Sequence, residues 1–157
     1  MTSHYVSLSR RIRKDLVNIE QSVTRAQAAW QKYEETQDDF LLDSIALNLH
    51  GFYSGIEKLF ERIAKGLDNQ LPGGNSWHRA LLEQMVVEVA GIRPKVISES
   101  VLARLDEYRR FRHVVRNVYG IELEPEKLKI LENRSFRTYT QIENDLVAFS
   151  RWLITVG

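Results

Sequence analysis

The segment RRFRHVVRNVYG, from Arg109 to Gly120, gathers Arg109, Arg110, Arg112, Arg116, His113, Asn117 and Tyr119 into one stretch without a single acid. Such residue types can handle a phosphate. Arginine forks bind phosphate oxygens through paired hydrogen bonds, and a histidine or tyrosine beside them can hydrogen-bond or stack. If the stretch is helical, each residue advances about 100° around the axis. Phe111, Val114, Val115 and Val118 then share one side, which must be the buried one. Arg110, Arg112, His113, Arg116 and Asn117 fill the other, with Tyr119 at its edge near Arg112 and Arg116. Two readings stay open. The face is solvated and paired with carboxylates of a neighbouring helix, for which Glu57, Glu61 and Asp43 are candidates; periodicity alone favours this. Alternatively, arginines that would otherwise repel one another are gathered to hold an anion.

Other polar positions carry weaker signals. His50, Ser54, Glu57 and Glu61 recur at helical spacing, which reads as the wetter side of a buried helix. Glu57 is the best candidate to pair with an arginine of the stripe. His78, beside Trp77 in the first turn of a short helix, reads as structural. There is no P-loop, dinucleotide fingerprint or HExxH pattern. No convincing metal cluster stands out, so neither a metal nor a cofactor is expected.

The elements that must position these residues are helices. Tyr5, Leu8, Ile12, Leu16, Ile19, Val23, Ala26, Trp30 and Tyr33 recur every three or four positions, one face of a long first helix. The near-heptad spacing suits packing inside one chain or a coiled dimer, with the former favoured. Leu41, Ile45, Leu49, Phe52, Ile56, Phe60 and Ile63 mark a second helix, capped by Asp38 or Asp39. The short connection makes the two antiparallel. The break NQLPGGNS leads to a third helix over Trp77–Val89, with Leu81, Met85 and Val89 inward. After AGIRP, Ser98 caps a fourth helix that carries the arginine stripe and ends at Gly120. Pro125 opens a fifth, continued by Leu128, Leu131, Tyr139, Ile142, Leu146, Phe149 and Leu153. The pattern predicts an all-α, up-and-down bundle of about five helices forming one domain over residues 1–157.

The whole chain has 157 residues, a net charge of +1 and no cysteine. Composition therefore gives no general affinity for nucleic acid, and any such contact must use a local patch. Without cysteine there is no disulfide framework. The N-terminus lacks a signal-peptide run and no stretch is apolar enough to span a bilayer, which points to the cytoplasm and away from membranes.

The segment FRHVVRNVYGIELEPEKL, together with LNLHGFYSGIEKLFERIA and SWHRALLEQM, closely resembles the HepT-like proteins of the HEPN superfamily. These are the larger partners in toxin–antitoxin modules with a minimal nucleotidyltransferase. The resemblance spans about the whole chain and is clearest from the second helix to the fifth. It implies an all-α homodimer with a cleft between its subunits. It also implies metal-independent RNA cleavage, in which a ribose 2′-OH attacks the adjacent phosphate. Arg112 matches the family arginine that stabilises the phosphate charge. Tyr119 matches the motif tyrosine, which the partner nucleotidyltransferase can AMPylate; otherwise it is a residue packed at the helix end. An attached AMP would add bulk and negative charge beside the arginines.

The family histidine that moves the proton falls at Asn117, and an amide cannot shuttle a proton near neutral pH. None of His4, His50, His78 and His113 follows an arginine at the required distance. His113 is the only imidazole on the stripe. It is either the acid or base of a relocated site, or a surface residue bonded across the dimer. Neighbouring arginines resist its protonation, which favours a base. In the nuclease reading Arg112, His113 and Asn117 are catalytic, Arg109, Arg110 and Arg116 bind RNA phosphate, and Glu57 supports them. The alternative is a non-catalytic regulatory subunit that binds RNA or a nucleotide, or only engages the nucleotidyltransferase.

Overall fold

The computed structural model describes the backbone of residues 2–117 and 123–156, and the side chains of 3–112 and 123–156. Five α-helices follow in order: α1 (Thr2–Thr36), α2 (Phe40–Ile63), α3 (Trp77–Val86), α4 (Glu99–Asn117) and α5 (Pro125–Val156). A π-helical turn, Ala64–Asp68, extends α2. No helix is long and apolar enough to cross a membrane among the described residues.

The helices form where the apolar spacing predicts them. Every residue of the predicted α1 face from Leu8 to Tyr33 is buried, and Tyr5 packs against the same core. That face packs on α2 and α5 of its own chain, as expected for an intramolecular bundle. The α1–α2 corner turns on Gln37, whose backbone is left-handed. Asp38 caps α2, its Oδ1 accepting the Phe40 N–H at 3.0 Å. Two glycines let α1 and α2 run close and antiparallel. A Cβ at Gly51 would lie 3.5 Å from Ser22 Oγ, and one at Gly55 only 2.7 Å from Ile19 Cγ1. The long α5 closes the bundle antiparallel to α1. The Tyr139 hydroxyl donates to Leu16 O at 3.1 Å and Ser9 Oγ donates to Ser150 O at 3.1 Å.

The fourth helix starts at its predicted cap: Ser98 Oγ accepts the Val101 N–H at 3.3 Å. Tyr108 fixes α4 across the core. Its hydroxyl donates to Leu131 O at 2.7 Å, and its ring meets Phe52 edge-on at 5.2 Å. The predicted end of this helix at Gly120 lies outside the described residues. Pro125 is the first residue of α5, as its fixed φ favours.

The third helix is shorter than its sequence pattern. It stops at Val86, and Val89 is not an inward helical residue. Val87 is extended. Val89 instead exchanges backbone hydrogen bonds with Arg93, each 2.9 Å, around a turn. Gly91 supplies the positive φ of 77° that this turn needs. The physical cause is Arg93, whose fully buried guanidinium claims the carbonyls where the helix would have continued. Its Nε and Nη2 each donate to a carboxylate oxygen of Asp68 at 2.7 Å. Nη1 donates to Val87 O and Pro94 O at 2.9 and 3.0 Å, and Nη2 also to Gln84 O at 3.1 Å. All five N–H groups of the fork are thus used.

Two stability measurements follow, both read from urea midpoints. Arg93→Lys keeps the charge but loses the fork, and should cost roughly 3 kcal/mol. The glycine pair should split in sign. Gly51→Ala should gain about 0.5–1 kcal/mol from helix propensity, whereas Gly55→Ala should lose about 1 kcal/mol or more by displacing Ile19. Equal effects at the two glycines would contradict the close approach of α1 and α2 at Gly55.

Candidate functional site

The α4 helix buries Val101, Leu105 and Tyr108. This orientation sets Asp106 on the flank toward α3, where it too is buried. Three arginines converge on it. Arg109 Nε lies 2.7 Å from Oδ1, while Arg110 Nη2 and Arg79 Nη1 each lie 2.8 Å from Oδ2. Burial pushes the Asp106 carboxyl up, but hydrogen bonds from Arg109 and Arg79 outweigh it and hold the group below the usual carboxylate range. Arg79 also reaches Glu83 at 3.0 Å.

Arg112 differs from these neighbours. It is half-buried, and its Nε is shielded from solvent with no hydrogen-bond partner among the described residues. Its charge and that of Arg109 act on the hydroxyl of Tyr53, a fully buried residue of α2. Burial first, and then the nearby Glu57 carboxylate, push that hydroxyl's pKa up, while the two arginines pull it down. The hydroxyl sits beside Glu57 without a hydrogen bond of ordinary geometry. One helical turn further on, Glu57 is itself buried and binds His78 Nδ1 at 2.6 Å. The imidazole packs on the indole of Trp77, with ring centroids 3.6 Å apart.

Several expectations change here. Glu57 is directed at His78 rather than at an arginine, because α3 lies across that part of α2. The stripe is not an acid-free surface awaiting an anion throughout, since Asp106, one turn before it, already engages Arg109 and Arg110. Phe111 is only half-buried, as Arg112 is, so the two faces are less sharply divided than the wheel predicts. The backbone of His113, Arg116 and Asn117 continues α4, but their side chains lie outside the described residues, and Tyr119 lies outside them entirely. Among the described residues, no group of three His, Asp or Glu is placed to hold a metal ion.

Sequence reasoning missed Asp106, Arg79, Tyr53 and His78 as members of the cluster. Asp106 was within reach, since an acid three or four residues before a basic residue shares its helix face. Arg79, Tyr53 and His78 arrive through tertiary packing, for which the sequence carries no local signal.

The five-helix bundle and its arginine-bearing fourth helix define an all-α protein of HEPN type. A family model described as HepT-like protein matches residues 44–153, most of the chain. The protein belongs to this HepT-like family, whose members are components of toxin–antitoxin pairs. Nothing matches among curated proteins or among solved structures.

Removing the acid at the centre of the cluster tests its electrostatics. Asp106→Asn should cost roughly 1–2 kcal/mol near neutral pH, after discounting for partners that are partly solvated. The Asp106 pKa is depressed by folding, so its contribution is present above the unfolded carboxylate pKa of about 4 and is lost as pH falls through the folded value. The gap between wild type and variant in urea midpoint should therefore narrow on acidification. A gap independent of pH would show that the carboxylate charge is not what holds the arginines.

Proposed function

We propose that this chain, as a single domain over residues 1–157, is the toxin of a cytoplasmic toxin–antitoxin module. In this reading it is a metal-independent endoribonuclease that works as a homodimer and is counteracted by a minimal nucleotidyltransferase. RNA enters a cleft between the two subunits. Arg112 and Arg116 hold the scissile phosphate, Arg109 and Arg110 contribute to the positive field, and His113 and Asn117 lie along the same helix face. The 2′-OH of one ribose attacks its own 3′-phosphate, and stabilisation of the developing charge falls to the arginines. AMPylation of Tyr119 by the nucleotidyltransferase would place negative charge and bulk beside them and block RNA.

The observation that carries this reading is the state of Arg112. Its neighbours Arg109 and Arg110 are engaged by Asp106, whereas the buried Nε of the motif arginine has no hydrogen-bond partner among the described residues. A buried, unmatched donor is costly and calls for an acceptor, and a phosphate oxygen fits. Asn117 favours a second reading, in which the protein keeps the fold and the arginines but acts as a non-catalytic regulatory subunit. That subunit binds RNA or a nucleotide, or engages the nucleotidyltransferase alone.

The deciding experiment is cleavage of labelled total RNA in the presence of EDTA. Wild-type protein should cut, and folded Arg112→Ala should cut about a hundredfold more slowly or worse. Intact RNA with both proteins, each shown to be folded and dimeric, would leave the regulatory reading.

A further inference from the structure

The motif position that should hold a histidine holds Asn117, so the proposed reaction lacks its usual proton carrier. The seam between α2 and α3 contains an oriented imidazole. His78 Nδ1 is 2.6 Å from Glu57 Oε2, and the carboxylate is almost fully buried. A carboxylate bonded to Nδ1 fixes the tautomer that carries its proton there, and leaves the Nε2 lone pair as the acceptor. Among the described residues Nε2 makes no hydrogen bond, and the His78 side chain keeps 19% of its surface exposed. Trp77 holds the ring plane from one side.

The same seam adjoins the arginine cluster. Arg79, the next residue, binds Asp106 together with Arg109 and Arg110. Tyr53, one turn before Glu57, feels the charges of Glu57, Arg109 and Arg112. Arg79 and Tyr53 thus connect this seam to the group of guanidinium ions that includes an unmatched donor.

We propose that His78 is the general base of this protein, with Glu57 as its positioning residue, and that it replaces the histidine absent at position 117. The inference rests on the ribonuclease reading above. His78 Nε2 takes the proton of the ribose 2′-OH as O2′ forms a bond to phosphorus. The bond from phosphorus to O5′ breaks, and O5′ leaves with a proton from water. The products are a 2′,3′-cyclic phosphate and a 5′-hydroxyl, and His78 returns its proton to solvent.

Single-turnover cleavage of a labelled single-stranded RNA, with EDTA, tests this with wild type, Arg112→Ala, His78→Gln, Glu57→Gln and the double variant of His78→Gln with Glu57→Gln. Circular dichroism and thermal melts establish that each variant is folded. His78→Gln should lower the rate by about 10²–10⁴-fold. Glu57→Gln should lower the rate in the wild-type background but add little loss in the His78→Gln background; a merely structural role for Glu57 would lower the rate in both. Should His78→Gln fail to fold, His78→Asn takes its place in the same comparison. Cleavage that needs Arg112 but survives His78→Gln, or a Glu57→Gln loss that is undiminished in the His78→Gln background, would overturn this assignment and leave the nuclease reading intact. No cleavage by the wild type would overturn both.

Discussion

The pairing of Arg93 with Asp68 is the constraint on which the candidate site depends. At ten residues α3 is too short to persist as a helix by itself. Leu81, Leu82 and Met85 anchor one face of it in the core, but apolar contact is non-directional and does not fix its position along α2. The guanidinium fork does. It joins the π-helical turn at the end of α2 to the last turn of α3 and to the loop that leads into α4. Burying an ion pair is costly unless its hydrogen bonds are complete, and here every donor is matched. Gln84 adds to the arrangement by donating to Oδ2 of Asp68 at 2.8 Å, the oxygen that also accepts from Arg93 Nη2. With the C-terminal end of α3 so held, its first turn brings His78 to α2 and Arg79 to α4.

The second constraint is electrostatic. Three guanidinium groups share the carboxylate of Asp106, and among the described residues only Arg79 has a further acid, Glu83. The cluster therefore keeps a surplus of positive charge in a chain whose overall charge is only +1. Asp106 does more than offset repulsion. It commits Arg109, Arg110 and Arg79 to defined positions, so that the surplus is local and ordered, as recognition of an anion requires. Arg112 is the member of the described cluster whose Nε is buried without an acceptor.

The fold was largely legible in the sequence because each long helix buries one continuous stripe, and a stripe at three- and four-residue spacing leaves little freedom in where the helix lies. The capping signals at Asp38, Ser98 and Pro125 were equally local and equally readable. Val89 misled because a β-branched apolar residue at helical spacing satisfies the pattern whether or not the helix persists. What ends α3 is a hydrogen-bond demand from Arg93, several residues downstream. The site was legible only in part for the same reason. The arginine stripe is contiguous in sequence, but the bond between Glu57 and His78 joins two helices, and no rule of spacing connects them.

The placement of the proposed base follows from what a base must do. It has to carry a proton, and a positive charge, while the phosphate is in its most negative state. An imidazole within the arginine stripe would stay unprotonated and available as a base, but would have to hold the accepted proton against several like charges. His78 lies off the stripe and on another helix, with a buried carboxylate behind its far nitrogen. In the proposed reaction Glu57 would offset the charge when the proton arrives, leaving the arginine stripe to the phosphate. Separating the two tasks between α4 and the α2–α3 seam lets each group work in the electrostatic surroundings it needs. On that logic an asparagine at position 117 is compatible with catalysis, because the stripe has only to bind charge and not to move protons.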